Sequence, residues 1–176
     1  MKEEKVYELS RRALEPLVGF IAEKLFGLEL DLSSDVEDKV YKIDIKNKDL
    51  TFNLQVKTKK AAYYHYYYKL EKELNNNSYF AYYEIPFNDA IIEKKNLLND
   101  IEAFKQYVIG TPIYFVDTDY LRILLDNDEI EYVEEYGEYW VKDKDRIEKY
   151  YDSMYYEATH EPYVIKYEIK AEDFVN

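Results

Sequence analysis

From Leu50 to Lys57 the residues alternate strictly: Leu50, Phe52, Leu54 and Val56 are apolar, and Thr51, Asn53, Gln55 and Lys57 are polar. A β-strand sends successive side chains to opposite faces, so this run predicts a strand with one buried face. Tyr41, Ile43 and Ile45 alternate in the same way with Val40, Lys42 and Asp44. Asn47-Lys48 lies between the runs, and Asn tolerates the left-handed backbone that tight turns need. The stretch from Asp35 to Lys60 therefore reads as a β-hairpin.

If Lys46 pairs with Asp49, opposed residue numbers sum to 95, and Ile45, Ile43 and Tyr41 face Leu50, Phe52 and Leu54. All the apolar residues then share one face, as a stable register requires. On the other face Val40 lies beside Gln55 and Asp38 lies opposite Lys57. A carboxylate, a carboxamide and an ammonium converge at the open end. Asp44 falls opposite Thr51, roughly 13 Å from Gln55 at about 3.3 Å per residue. This register excludes Asp44 and ranks Asp38 first among the acids. Asp35, in a loop after Ser33-Ser34, is the competitor that a one-residue bulge would favour.

An acid near the start of one strand, followed by Gln55-Val56-Lys57-Thr58 at the end of the next, resembles the PD-(D/E)XK nuclease superfamily in its Q-x-K variant. That group includes restriction endonucleases and archaeal Holliday-junction resolvases. The resemblance implies an α/β (α+β) fold with a central mixed sheet, built from a helix, a three-stranded antiparallel meander, a second helix and a further strand. Its leading helix often carries a Glu about three turns before a Gly, and Glu15 to Gly27 is similar. The resemblance covers about the first half of the chain. It departs from the pattern in that no Pro precedes the acid and Gln55 stands where an acid is commoner.

Composition bears on the partner. The chain has 176 residues, no Cys and a net charge of −13, so disulfides, thiolate metal sites and Cys nucleophiles are excluded. No run approaches ~18 uninterrupted apolar residues, which argues against a membrane partner and for a cytoplasmic protein. Much Tyr, Lys, Glu and Ile without Cys fits a hot environment. A strongly acidic chain is at first sight a poor nucleic-acid binder. Residues 1–75, however, carry equal numbers of acids and bases, and no acid occurs within 50–70. Lys59, Lys60 and Lys69 cluster there as candidate DNA contacts beside Lys57.

Elsewhere, Val6, Leu9, Ala13, Leu17, Phe20 and Ile21 recur at helical spacing, predicting a helix over 5–26 that Pro16 kinks or restarts beside Glu15. The Tyr-rich run from Ala61 reads as a helix ended by Asn75-Asn76-Asn77, with its tyrosines available for stacking on bases and His65 read as structural. A strand is expected over 78–87, a helix over 90–108, a strand at 112–116 and a helical turn over 121–125. A hairpin around Tyr136-Gly137, a helix over 143–156 and a strand over 162–171 follow. The hairpin's acids alternate with apolar residues, as on a charged edge strand. One domain spans 1–176, its core at about 5–125 and a C-terminal elaboration at about 126–176.

What the resemblance implies is a Mg²⁺-dependent endonuclease, with Mn²⁺ as substitute. Asp38, Gln55 and Asp35 are the candidate metal ligands, Lys57 orients the nucleophile or stabilises charge, and Glu15 supports the site from the helix. DNA is the expected partner, with a homodimer if both strands are cut. Two alternatives stay open: a non-enzymatic acidic interaction protein or DNA mimic, and an inactive nuclease fold that only binds DNA.

Overall fold

The structure, a computed structural model, describes residues 4–58, 66–67, 70–83, 87–141 and 163–174. The fold is α+β. A first helical segment runs through α1 (Glu4–Leu9), a π-helical turn (Ser10–Leu14) and α2 (Glu15–Phe26). Pro16 has no N–H to bond to residue 12, and the chain meets this by widening the turn just before it. The Glu15 N–H reaches back five residues to the Ser10 carbonyl, and the helix continues without a break. Gly27 ends α2 at φ 65°, where a side chain would be strained, with its N–H on the Glu23 carbonyl.

Next come β1 (Asp31–Leu32), α3 (Asp35–Lys39), β2 (Ile45–Lys46), β3 (Asn53–Thr58), β4 (Tyr66–Tyr67), α4 (Leu70–Asn76) and β5 (Tyr79–Tyr83). The remainder is α5 (Asp89–Lys94), α6 (Ile101–Val108), β6 (Pro112–Asp117), α7 (Thr118–Asp126), β7 (Ile130–Val133), β8 (Glu138–Val141) and β9 (Val164–Glu168). A six-stranded sheet has the order β1-β2-β3-β5-β6-β9, and a small sheet has the order β4-β8-β7. All pairs in the large sheet are antiparallel except β3 with β5, which α4 joins as a crossover.

Both faces of the large sheet are covered. Leu54, Val56, Tyr79, Ala81, Tyr83, Ile113 and Phe115 pack against α2, α5 and α6. Phe80, Tyr82, Tyr114 and Val116 pack against α4, α7 and the small sheet. The central strand β5 is therefore buried throughout, as expected of a strand sandwiched between helical layers. No helix among the described residues is long and apolar enough to cross a membrane.

Four expectations are corrected. Residues 35–39, including Asp35 and Asp38, form a helix, not the first arm of a hairpin. Ser34 and Glu37 cap it reciprocally, the Ser34 hydroxyl accepting from the Glu37 N–H and the Glu37 carboxylate accepting from the Ser34 N–H. Tyr66-Tyr67 is a strand paired with Tyr139-Trp140, so only 70–76 of the Tyr-rich run is a described helix. The helix expected over 90–108 is two, divided by a turn at 95–100. The two-residue hairpin tip is instead a loop from Asn47 to Phe52, in which Asn47 Oδ1 accepts from the Thr51 and Phe52 N–H groups. Lys59, Lys60, His65, Lys69 and the helix expected over 143–156 lie outside the described residues.

The end of the chain is locked to α2 by Asp173, which accepts from Lys24 Nζ, the Tyr167 hydroxyl (2.7 Å) and the Lys170 N–H (2.8 Å). Burial opposes ionisation of Asp173, but these three donors outweigh it and hold its carboxyl below the usual carboxylate range. A lowered folded-state pKa adds stability above the unfolded value, and that stability fades as pH falls through the folded value. Asp173→Asn is expected to lower Tm by about 4–8 °C at neutral pH, from about 2 kcal/mol of charged hydrogen bonding. Thermal melts checked down into strong acid should show the deficit closing there.

Candidate active site

The site begins with the true register of β2 on β3. Ile45 faces Leu54 and Lys46 faces Asn53, so opposed residue numbers sum to 99. Relative to the expected pairing, β3 has slid by four residues, an even number. An even slide keeps every side chain on its own face, so the alternation alone does not tell the two registers apart, and the observed one leaves Tyr41 and Leu50 exposed. The consequence for the polar face is large. The paired register ends at Ile45, and Asp44, just beyond it, donates its N–H to the Leu54 carbonyl at 2.9 Å instead of lying opposite Thr51.

Beyond Ile45 the backbone of β2 leaves β3. The Val56 N–H would be without a strand partner there, and Asp44 Oδ2 takes that place at 2.7 Å. Asp44 is therefore clamped at the point where the two strands separate. It is 4 % exposed.

Glu15 reaches the same point from α2. It is buried, it shares a hydrogen-bonding contact with Asp44, and it accepts from Arg11 Nη1 at 3.0 Å. Asp38 arrives from α3, also in hydrogen-bonding contact with Asp44, with Oδ2 3.7 Å from Arg11 Nη1. Helix α3 thus carries Asp38 into the cluster from outside the strand. Asp35, at the first turn of α3, is exposed and is not brought to these groups.

Two carboxylates thus pair with the Arg11 guanidinium, Glu15 at 3.0 Å and Asp38 at 3.7 Å, and Asp44 adds its charge from further away. Burial first, then the charge of Glu15, pushes Asp44 well above the ordinary carboxylate range, although the Val56 N–H pulls the other way. Burial also raises Glu15, against the opposing charge of Arg11 and its contact with Asp44. The cluster holds more negative charge than its own cation balances, so it favours either a shared proton or an added cation.

On β3 the next two polar positions complete the arrangement. Gln55 is 8 % exposed, and its Oε1 is enclosed without a hydrogen-bond partner. Lys57 follows on the same face of the strand and donates to Glu73 Oε1 of α4. Glu73, which the strand motif does not include, is nearly fully buried.

The donor set fits a hard divalent cation. Carboxylate and carboxamide oxygens are the ligands Mg²⁺ and Mn²⁺ take, and Gln55 Oε1, on the residue before the Val56 N–H that holds Asp44, is enclosed without a donor. Among the described residues no group of three or more acidic, His or Cys side chains is disposed as a ready-made cage. Mg²⁺ needs none, because it keeps several waters and is held by one or two carboxylates.

A stability consequence follows from the buried acids. An acid raised in the folded state is bound by its proton more tightly when folded, so stability falls as pH rises from about 4, the unfolded value, toward the raised value. Asp44→Asn, which keeps an oxygen for the Val56 N–H, removes that loss. Its Tm at neutral pH without metal is expected to exceed wild type by about 2–4 °C per kcal/mol relieved. Melts of both proteins from acid to neutral pH check this, and parallel curves would contradict it.

No family model, no curated protein and no solved structure matches this chain.

Proposed function

We propose that this chain is a Mg²⁺-dependent DNA endonuclease of the PD-(D/E)XK type, with Asp44 rather than Asp38 or Asp35 as its strand acid. The observation that carries the reading is the Asp44 carboxylate held on the N–H of Val56, the residue between Gln55 and Lys57 on β3. The order of elements supports it. Helix α2 is followed by β1, the short α3, β2 and β3, with β1-β2-β3 antiparallel, then the two-residue β4, α4, and β5 parallel to β3.

In this reading Asp44 and Gln55 hold the cation, with Glu15 supporting Asp44 from α2 and Mn²⁺ able to replace Mg²⁺. A divalent cation supplies Lewis acidity toward the phosphate oxygens and makes water acidic enough to ionise near neutral pH. The protein's own groups do the rest. The Val56 N–H and Glu15 fix the orientation of Asp44, so no reorganisation is needed when charge develops. The Lys57 ammonium orients the attacking water and stabilises negative charge on the phosphorus oxygens. Arg11 limits repulsion among the three carboxyl groups. Asp38 contributes charge to the cluster without a backbone anchor like that of Asp44.

The test is cleavage by purified wild-type protein of supercoiled plasmid, single-stranded DNA and a four-way junction, in Mg²⁺, Mn²⁺ or EDTA. Metal-dependent cutting of at least one substrate, abolished by EDTA, is the expected result. No cutting of any of them, with binding to DNA retained, would leave an inactive nuclease fold. Neither cutting nor binding would favour the acidic interaction protein.

A further inference from the structure

Two enclosed oxygens beside Lys57 lack a donor: Gln55 Oε1 and Glu73 Oε2. Gln55 is 8 % exposed and Glu73 1 %, so solvent does not meet either need directly. Native proteins rarely leave such acceptors unmet. Both belong to the surroundings of Lys57. Gln55 precedes it on the same face of β3, and Glu73 Oε1 accepts its ammonium. That one contact answers one oxygen of Glu73 and leaves the other open.

Glu73 also stands where fold alone would place an apolar residue. It lies in α4 between Leu70 and Leu74, both buried in the core on that face of the sheet. A carboxylate there is costly to bury, even when paired. Lys57 and Glu73 are 16 residues apart in sequence, so no local motif links them. The crossover that makes β5 parallel to β3 is what lays α4 against Lys57.

We infer that Glu73 supplies the carboxylate that the Gln-x-Lys sequence leaves out, and that Gln55 Oε1 and Glu73 Oε2 are protein donors of a divalent-cation position beside Lys57. The inference rests on the nuclease reading and deepens it. A carboxamide oxygen carries no net charge and is a weaker ligand for Mg²⁺ or Mn²⁺ than a carboxylate. An acid brought from α4 restores that charge on the same side of β3, while its second oxygen keeps Lys57 in place.

The experiment is Mn²⁺ binding without DNA, by titration calorimetry and by the electron-spin signal of free Mn²⁺. Wild type, Asp44→Asn, Glu73→Gln and the double variant Gln55→Glu/Glu73→Gln are compared, with circular dichroism to establish folding. Glu73→Gln is expected to weaken Mn²⁺ binding by about 10–100-fold. The double variant, which moves the acid back to the strand, is expected to recover to within a few-fold of wild type. If Glu73→Gln binds Mn²⁺ like wild type while Asp44→Asn does not, Glu73 serves only to hold Lys57, and this inference fails with the nuclease reading intact. If wild type binds no Mn²⁺, both fail. Should Glu73→Gln not fold, the double variant decides, with retained binding supporting the inference and lost binding overturning it.

Discussion

Asp44→Asn is expected to abolish metal-dependent DNA cleavage, by a factor on the order of 10³, while leaving the protein folded. A charged ligand that helps neutralise a phosphate contributes several kcal/mol of stabilisation in the transition state, and each decade of rate corresponds to about 1.4 kcal/mol. The asparagine retains an oxygen for the Val56 N–H, so the separation of β2 from β3 is preserved and the loss is one of charge. The same substitution relieves an acid cluster of Glu15, Asp38 and Asp44 whose guanidinium, that of Arg11, pairs with Glu15 and Asp38. Lost activity together with a raised Tm is the signature of a site kept at the expense of stability. Single-turnover cleavage and thermal melts on the same preparation would check both halves. Activity retained within a few-fold would remove Asp44 from the site.

Lys57→Ala is expected to lower cleavage by about 10²–10³-fold, the range for removing one charge-stabilising donor from a water-poor site. Its effect on stability should run opposite to that of Asp44→Asn. The Lys57 side chain is 12 % exposed and pairs with a Glu73 side chain that is 2 % exposed. Truncating the lysine strands that carboxylate in the core, which costs about 3–5 kcal/mol in buried pairs. Lys57→Ala/Glu73→Gln should therefore melt above Lys57→Ala alone while staying inactive. Plasmid nicking and melts of the two variants distinguish a catalytic lysine from one whose loss only loosens the fold. Recovery of cleavage in the double variant would contradict the catalytic role.

The strand β3 and its apolar face were legible from the alternation, whereas the burial of Asn53 and Gln55 on its other face and the acid held on the Val56 N–H were not. The reason is physical. Ile45 can oppose Leu50 or Leu54 with every side chain on the same face, because the side-chain period is two and the slide is four. What selects the observed register is the Asn47 side chain, which closes a longer loop onto Thr51 and Phe52, and the pairing of Asp31-Leu32 with the far edge of β2. One local signal was available. Ser34-x-x-Glu37 is a capping box, and it marks Asp35 to Lys39 as helix, which takes Asp38 off the strand. Glu15 was legible as a candidate from the helix pattern and Pro16, although the π-turn that carries the chain past the proline has no sequence signature. Glu73 was not, since only the β3–α4–β5 crossover brings it to Lys57.

The most direct measurement is single-turnover cleavage of labelled DNA in Mg²⁺ by Asp44→Asn, Asp38→Asn and Asp35→Asn beside wild type. The expected result is a loss on the order of 10³-fold for Asp44→Asn, a smaller loss for Asp38→Asn, which touches the cluster without the backbone anchor, and wild-type rates for the exposed Asp35→Asn. Full activity in Asp44→Asn with activity lost in Asp38→Asn or Asp35→Asn would contradict it, because the acid would then not be the one held on the Val56 N–H between Gln55 and Lys57.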